Sequence, residues 1–402
     1  MAGRTISYLY IGLGARVKRR IVLSGVNFVE GGPLSVFKDA LQELADHYSH
    51  IYEIVALVHR RSLFDIDNVT YIEFPRVKSS WLRRLHFEYW GLRALSRRLR
   101  PYLWLSMHDM TPNVTAEVRA VYCHNPSPFY RLGVREALTD WKFSLFTLFY
   151  RYLYAINLRH NDFVIVQQEW LRAEFRREYR IPNIVVAHPR IPSLVIPALD
   201  EEEQVKTRTV RFFYPLYPRS FKNVELLLQA ARILEQGGVA GFEVWLTIDG
   251  SENQYAANLR SAYGGLRSVS WLGIMPRDRI LFLYAKADCL VFPSKLETWG
   301  MPISEFQQTG KPMLVIDLPY AHETVGKYPS VWFFPPGNPQ VLAEAMKSFI
   351  DGRLAFSQTS APPIPAPFAA DWTALFRILL RENRDAGLPR TNAAPTATGA
   401  LP

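Results

Sequence analysis

The sequence predicts an α/β protein built from two doubly wound parallel-sheet halves of similar size that face a central cleft. Three observations carry this reading. Strand-length apolar runs alternate with helix-like stretches along most of the chain, as in parallel sheets with crossover helices. One Pro-rich and then acidic stretch, "RIPSLVIPALDEEEQVKT" at 190–207, divides the series as a linker would. At 402 residues the chain is also too long for one ordinary core.

In the first half the strand-like runs are "RIVLSGVNF" (20–28), "YEIVALVH" (52–59), "VTYIEFP" (69–75), "YLWLSMHD" (102–109), "VRAVYCHN" (118–125) and "NDFVIVQQ" (161–168). Their Val/Ile/Leu content is nearly continuous, which fits a sheet covered on both faces. "GGPLSVFKDALQELADHY" and "EWLRAEFRREY" read as helices. In the second half the runs are "TVRFFYP" (209–215), "FEVWLTIDG" (242–250), "VSWLG" (269–273), "ADCLVFPS" (287–294), "PMLVID" (312–317) and "SVWFFPP" (330–336). Helix patterns at 223–236 and 338–350 lie between them. The expected division is an extension over 1–19, a first domain over 20–195 and a second over 205–368. A connector at 357–368, a C-terminal helix at 369–384 and a disordered tail at 385–402 complete it.

Composition narrows the function. Apolar residues make up 49% and charged residues 21%, the balance of a globular chain. Two cysteines, Cys123 and Cys289, exclude a disulfide framework and suit a reducing cytoplasm. No run of apolar residues is long enough to span a bilayer. The apolar stretch 5–15 precedes the basic cluster Arg16-Lys18-Arg19-Arg20, the reverse of a signal peptide. The net charge of +10 is uneven: residues 1–200 hold 27 Lys/Arg against 18 Asp/Glu, and residues 201–402 hold 20 against 19. Such asymmetry points to an anionic partner for the first half, membrane or nucleic acid.

The stretch "LETWGMPISEFQQTGKP" (296–312) carries the clearest chemistry. Spacing alone is uninformative, because Glu235 and Glu243 stand eight apart just as Glu297 and Glu305 do. Context separates the pairs. Glu297 follows the strand "ADCLVFPS", Gly300 permits a tight turn, and Pro302 suits the start of a helix that contains Glu305. Helix-start N–H groups attract phosphate, and a nearby carboxylate accepts bonds from ribose or sugar hydroxyls. The combination suits a nucleotide-sugar.

The segment 293–312, "PSKLETWGMPISEFQQTGKP", resembles the "PSxxExxGxPxxExxxxGxP" motif of the family 4 retaining glycosyltransferases. The likeness extends more weakly over about residues 20–350. It implies the GT-B fold with two Rossmann-like domains. It implies that Glu297 touches the donor sugar, that Glu305 binds the ribose, and that Gly300, Met301 and Pro302 line the donor site. In that family a basic pair holds the diphosphate. Lys222, followed by Asn223, fits one member, whereas the usual arginine position is Tyr217 and Arg219 lies only three residues before the lysine. Gly31 and Gly32 match a glycine-rich loop beside the phosphates. His124 matches a histidine at the transferred sugar. His108, Asp109 and Asn125 fall on the acceptor side. The two histidines equally suit structural roles at strand ends.

No metal or cofactor is expected. Asp65 and Asp67 form an Asp-x-Asp outside any strand end and read as a surface loop; His47 and His50 lack a third ligand. The expected activity is metal-independent, retaining transfer from a UDP- or GDP-sugar to a glycan or polyprenyl-lipid-linked acceptor, in surface-polysaccharide synthesis. The alternatives are a nucleotide-sugar epimerase or hydrolase on the same fold, or a non-enzymatic nucleotide-binding protein.

Residues 76–100 hold eight Lys/Arg and one acid, Glu88. Leu82, Leu85, Tyr89, Leu92 and Leu99 recur at helical spacing, with Arg83, Arg93, Arg97 and Arg98 off that stripe. The segment reads as an amphipathic basic helix for an anionic membrane, or as a crossover helix with its stripe on the sheet, and the two are compatible. Residues 143–158 add aromatic surface. No zinc-finger or RNA-binding motif supports nucleic acid as the partner. The expected location is cytoplasmic, peripheral at the inner face of the cell membrane.

Overall fold

The computed structural model describes residues 18–130, 141–197 (backbone alone for 141–144), 209–356, 359 and 363–382. Nearly all of the N-terminal extension, the later part of the linker and the tail lie outside the described residues.

The first sheet has eight strands: β1 (Arg19–Gly25), β2 (Tyr52–Val58), β3 (Val69–Glu73), β4 (Leu103–Ser106), β5 (Val118–Tyr122), β6 (Phe163–Val166), β7 (Ile184–Ala187) and β14 (Phe368–Ala369). Their order is β14-β7-β6-β5-β4-β1-β2-β3, and every pairing is parallel. Successive residues serve opposite faces, as pleating requires. Ile21 and Leu23 pack toward helices α1 (Gly31–His47) and α12 (Trp372–Leu379), whereas Val22 packs on the other side with Leu92 and Trp104. Both faces are thus dry.

The second sheet contains β8 (Val210–Tyr214), β9 (Phe242–Leu246), β10 (Val269–Trp271), β11 (Cys289–Phe292), β12 (Met313–Ile316) and β13 (Val331–Phe334). Its order, β10-β9-β8-β11-β12-β13, is again all parallel. Strand order reverses between β1 and β4 in one sheet and between β8 and β11 in the other. Ligands of such sheets bind at the carboxyl ends on either side of the reversal.

Two strands have no counterpart in the sequence reading. β7 is four residues long, and β14 is two residues at the end of a Pro-rich connector. Phe368, expected to close the second domain, pairs instead with Val186 of β7. The C-terminal helix then packs Trp372, Leu375, Phe376 and Leu379 into the first core. Fully buried Arg172 anchors this return, donating to the carbonyls of Pro365 (2.8 Å) and Pro367 (3.0 Å).

The basic segment also departs from expectation. It is not one α-helix. A 3₁₀ turn (Val77–Ser79) leads to α2 (Trp81–His86), a π turn (Phe87–Gly91) and α3 (Leu92–Leu99). Leu82 leaves the proposed stripe and is 78% exposed. The first turn packs Trp81 edge-on against Phe149, with ring centroids 5.4 Å apart, rather than turning Leu82 inward. The buried positions are Val77, Glu88, Leu92 and Ser96.

Candidate functional site

The second sheet's reversal point gathers the expected donor residues. After β8, a 3₁₀ turn (Ser220–Lys222) and Asn223, at φ 54°, lead into α6 (Val224–Gln236). Asn223 Nδ2 donates to Pro293 O (3.1 Å) and Lys295 N to Phe221 O (2.7 Å), which ties this turn to the loop after β11. Tyr214 Oη donates to Lys222 O (2.9 Å). The side chains follow the backbone: Lys222 Nζ lies 2.5 Å from Glu297 Oε1, in a largely buried ion pair. Arg219 is exposed, with its guanidinium 5.2 Å from the Tyr217 ring centroid.

Gly300, at φ +87°, takes a left-handed conformation that a Cβ disfavours, and so turns the chain into α9 (Met301–Gln307). Met301 and Pro302 open that helix, half-buried. Glu305 is buried within it. Its Oε1 accepts from Arg277 Nη2 (2.8 Å) and its Oε2 from Tyr284 Oη (2.9 Å), both residues of α8 (Arg277–Lys286). Burial first, and the Glu305 charge second, push the Tyr284 hydroxyl well above its usual range, so it stays a donor. Arg277 and Tyr284 were invisible in the sequence, because they lie 28 and 21 residues from Glu305 with no motif linking them. The decoy pair is elsewhere: Glu235 holds Ser268 and Glu243 holds Ser270, near β10.

At the first sheet's carboxyl edge, Gly31 (φ +78°) and Gly32 open α1 beside β1, both exposed. Asp109, itself at φ 70°, is an anchor. Its Oδ1 accepts from the backbone N–H of His124 (2.5 Å) and Asn125 (3.0 Å) and from Tyr154 Oη (2.9 Å). Asn125 in turn accepts from Ser127 N (3.0 Å). The loop that carries His124 is thereby fixed. The His124 ring stacks on Tyr122 (4.5 Å), burial lowers its basicity, and its Nε2 has no hydrogen-bond partner among the described residues. His108 is 2% exposed and is not presented to the cleft; its Nε2 lies 2.7 Å from Glu88 Oε1. Burial pushes the Glu88 carboxyl up to about 8 and holds His108 well below the usual histidine range. Arg84 Nη2 donates to His108 O (3.2 Å).

Asp65 and Asp67 are exposed on the loop before β3. His47 lies 3.9 Å from Glu43. Among the described residues no group of three or more His, Cys, Asp or Glu is placed to hold a metal ion.

Residues 200–360 match the family described as Glycosyl transferases group 1. The match covers the Lys222–Glu297–Glu305 site. The second domain is a glycosyl transferases group 1 domain. A 139-residue stretch is 27% identical to the O-antigen chain mannosyltransferase B of Escherichia coli, covering 34% of this chain and 36% of that protein. The chain thus spans about a third of that curated relative. Sucrose-phosphate synthase from Thermosynechococcus elongatus is similar in fold, with a TM-score of 0.60 and 16% identity over 84% of this chain and 90% of that one. Anabaena HepE in complex with UDP-glucose gives 0.54 and 15% over 83% and 90%. The fold is GT-B.

The group 1 domain is joined to the first domain by a buried polar relay. Gln168, fully buried at the end of β6, donates through Nε2 to Thr324 Oγ1 (2.8 Å) and Tyr320 O (3.1 Å) on α10 (Pro319–Val325). Thr324 Oγ1 also bonds Trp299 O, and Tyr320 Oη donates to Ser294 O (2.5 Å). Both acceptors flank Glu297 in the loop after β11. Glu323 accepts from Glu169 N (2.8 Å) and lies 3.2 Å from His188, whose ring packs on Trp299 at 4.5 Å. Gln168 carried no sequence signal. It ends an apolar run, and its partners on α10 lie more than 150 positions away.

Proposed function

We propose that the chain transfers a sugar from a nucleotide-sugar donor to a glycan or lipid-linked acceptor, with retention of configuration and without a metal. The observation that carries this reading is the largely buried Lys222–Glu297 pair across the strand reversal, with Glu305 held on the next helix by Arg277 and Tyr284. The O-antigen mannosyltransferase relative supports a surface-polysaccharide pathway, and the UDP-glucose complex of HepE supports a nucleoside diphosphate donor.

Each residue has a task. Glu305, already fixed by two donors, accepts from the ribose hydroxyls. Glu297 accepts from hydroxyls of the transferred sugar. Lys222 has three N–H donors and one close carboxylate partner, so it can also meet a phosphate oxygen. Charge grows on the diphosphate as the glycosidic bond breaks, and a fixed cation there stabilises the transition state. Exposed Arg219 swings in from the same turn. The departing phosphate oxygen takes the acceptor's proton on the face where the bond broke, which retains the anomeric configuration. His124, kept neutral by burial, borders the sugar from the first domain, while Asp109 keeps its loop in place.

A panel of UDP-, GDP-, ADP- and dTDP-sugars in a thermal-shift assay identifies the donor, since ligand at 100 times its dissociation constant adds about 2.7 kcal/mol of stability. Product analysis with that donor and a membrane-glycolipid extract then tests the reaction. A new α-linked product from an α-donor is expected. Free sugar alone, an epimerised nucleotide-sugar, or binding without turnover each overturns it in favour of a hydrolase, an epimerase or a binding protein.

A further inference from the structure

Large apolar side chains exposed to solvent are concentrated in one part of the molecule. Of the 13 found among the described residues, nine lie on 81–90 or 145–156. The second segment is the outer face of α4 (Trp141–Ala155) and the residue after it. The two segments touch: the Trp81 ring packs perpendicular to Phe149 at 5.4 Å and lies 6.3 Å from Tyr150. Trp81, Leu82 and Trp90 on one side and Leu148, Phe149 and Tyr152 on the other all face solvent, Leu82 at 78% and Tyr152 at 68%. Monomeric proteins rarely expose so much contiguous apolar surface without a use for it.

The exposed charge of the first of these segments has one sign. Arg83, Arg93, Arg97 and Arg98 are exposed, and the one acid of 76–100, Glu88, is fully buried behind them against His108. No carboxylate among the described residues pairs with any of the four. The outward side of the segment therefore carries cationic and apolar side chains and no exposed carboxylate.

We infer that this composite face of residues 81–98 and α4 is a docking surface for an anionic lipid bilayer. Trp and Tyr rings favour the headgroup boundary, Leu and Phe side chains insert below it, and arginines meet the lipid phosphates. A second copy of the chain is a poor occupant, because pairing two such faces brings their arginines together. Nucleic acid is the weaker occupant: the exposed rings could stack bases, but Leu82, Leu145 and Leu148 would stay in water. The surface belongs to two helices and not to the basic segment alone. It is independent of whether the cleft transfers a sugar.

The test uses sedimentation of the full chain with phosphatidylcholine vesicles, with and without phosphatidylglycerol. Wild type is expected to bind the anionic vesicles. Binding should weaken as salt rises from about 0.1 to about 1 M, where the screening length falls from about 10 to about 3 Å. Each basic residue near an anionic surface contributes roughly fivefold to partitioning, so changing Arg83, Arg93, Arg97 and Arg98 to Gln should weaken binding by roughly 10³-fold. The variant Leu82→Ser/Phe149→Ser/Tyr152→Ser should also release the protein, at low salt and with the charges intact. All seven side chains are exposed, and an unchanged melting temperature and donor shift verify the fold of each variant. The inference is overturned if wild type ignores anionic vesicles, or if the apolar triple variant binds them as wild type does. It is equally overturned if mutation of the patch abolishes a dimer or a nucleic-acid complex while vesicle binding is absent.

Discussion

At the carboxyl edge of the second sheet, ionisable side chains meet opposite charges. Lys222 pairs with Glu297 and Arg277 with Glu305. At the same edge of the first sheet, the buried acid meets an imidazole. Glu88 and His108 are both out of water, and burial pushes one carboxyl up to about 8 and the other group's basicity down. The difference teaches what each edge is for. Ion pairs of this kind can exchange a partner for a phosphate or a hydroxyl. A neutral pair sealed under a π turn holds backbone in place, and here it underlies the strand end that leads to Asp109 and the His124 loop.

The comparison breaks most visibly at Lys222. Lys222→Ala should lower kcat by about 2.7–4 kcal/mol in barrier, roughly 10²–10³-fold, as for loss of one electrostatic donor. Glu235→Ala, from the pair of equal spacing, should leave kcat near wild type. Equal turnover of the two variants in a steady-state assay would place the donor site elsewhere.

Next in size is Glu305→Ala. Losing a charge-assisted bond to ribose should weaken nucleoside diphosphate binding by roughly 1.5–3 kcal/mol, read calorimetrically. Arg277→Ala sharpens the point. That guanidinium is about half exposed, so its loss should cost under about 1 kcal/mol. If Arg277→Ala is the more damaging change, Glu305 serves Arg277 rather than the ligand.

The first sheet's edge is probed by pH. Folded Glu88 keeps its proton up to about pH 8, whereas the unfolded chain loses it near 4.5. The folded state therefore binds more protons in that window, and stability falls as pH rises through it. His108 acts oppositely below 6.5, where the unfolded chain gains a proton that the buried ring declines. Between about pH 6.5 and 8 Glu88 acts alone. Wild type should lose about 1–2 kcal/mol there relative to Glu88→Gln, which keeps a donor for His108. Parallel urea-unfolding profiles for the two proteins would mean that Glu88 is ionised in the fold.

The relay between the edges predicts a smaller effect. Gln168→Ala removes two hydrogen bonds to α10 and should cost about 1 kcal/mol in stability, with a higher KM for donor as the Trp299 loop loosens. A KM identical to wild type would limit Gln168 to domain docking. The smallest expected effect is that of EDTA, which should leave turnover unchanged. Loss of activity restored by Mg²⁺ or Mn²⁺ would bring Asp65 and Asp67 back into question.

Much of this was legible in the residues alone. Apolar runs marked twelve of the fourteen strands among the described residues, because a doubly covered parallel strand is apolar on both faces. The turn at Gly300 and the helix holding Glu305 followed from Gly, Pro and Glu at fixed offsets, which are local constraints. β7 and β14 were too short to signal themselves, and β14 exists only because β7 offers it an edge. The tertiary structure alone decided which charges meet. Lys222 and Glu297 are 75 residues apart, Glu305 and Arg277 28, and Glu88 and His108 20. Helical and strand periodicities relate residues only a few positions apart. Distant side chains are brought together by strand order and register, and the register follows from packing two whole cores. For the same reason Glu88, which reads as one more solvated charge on a basic helix, proved to be as fully buried as Leu92 and Ser96.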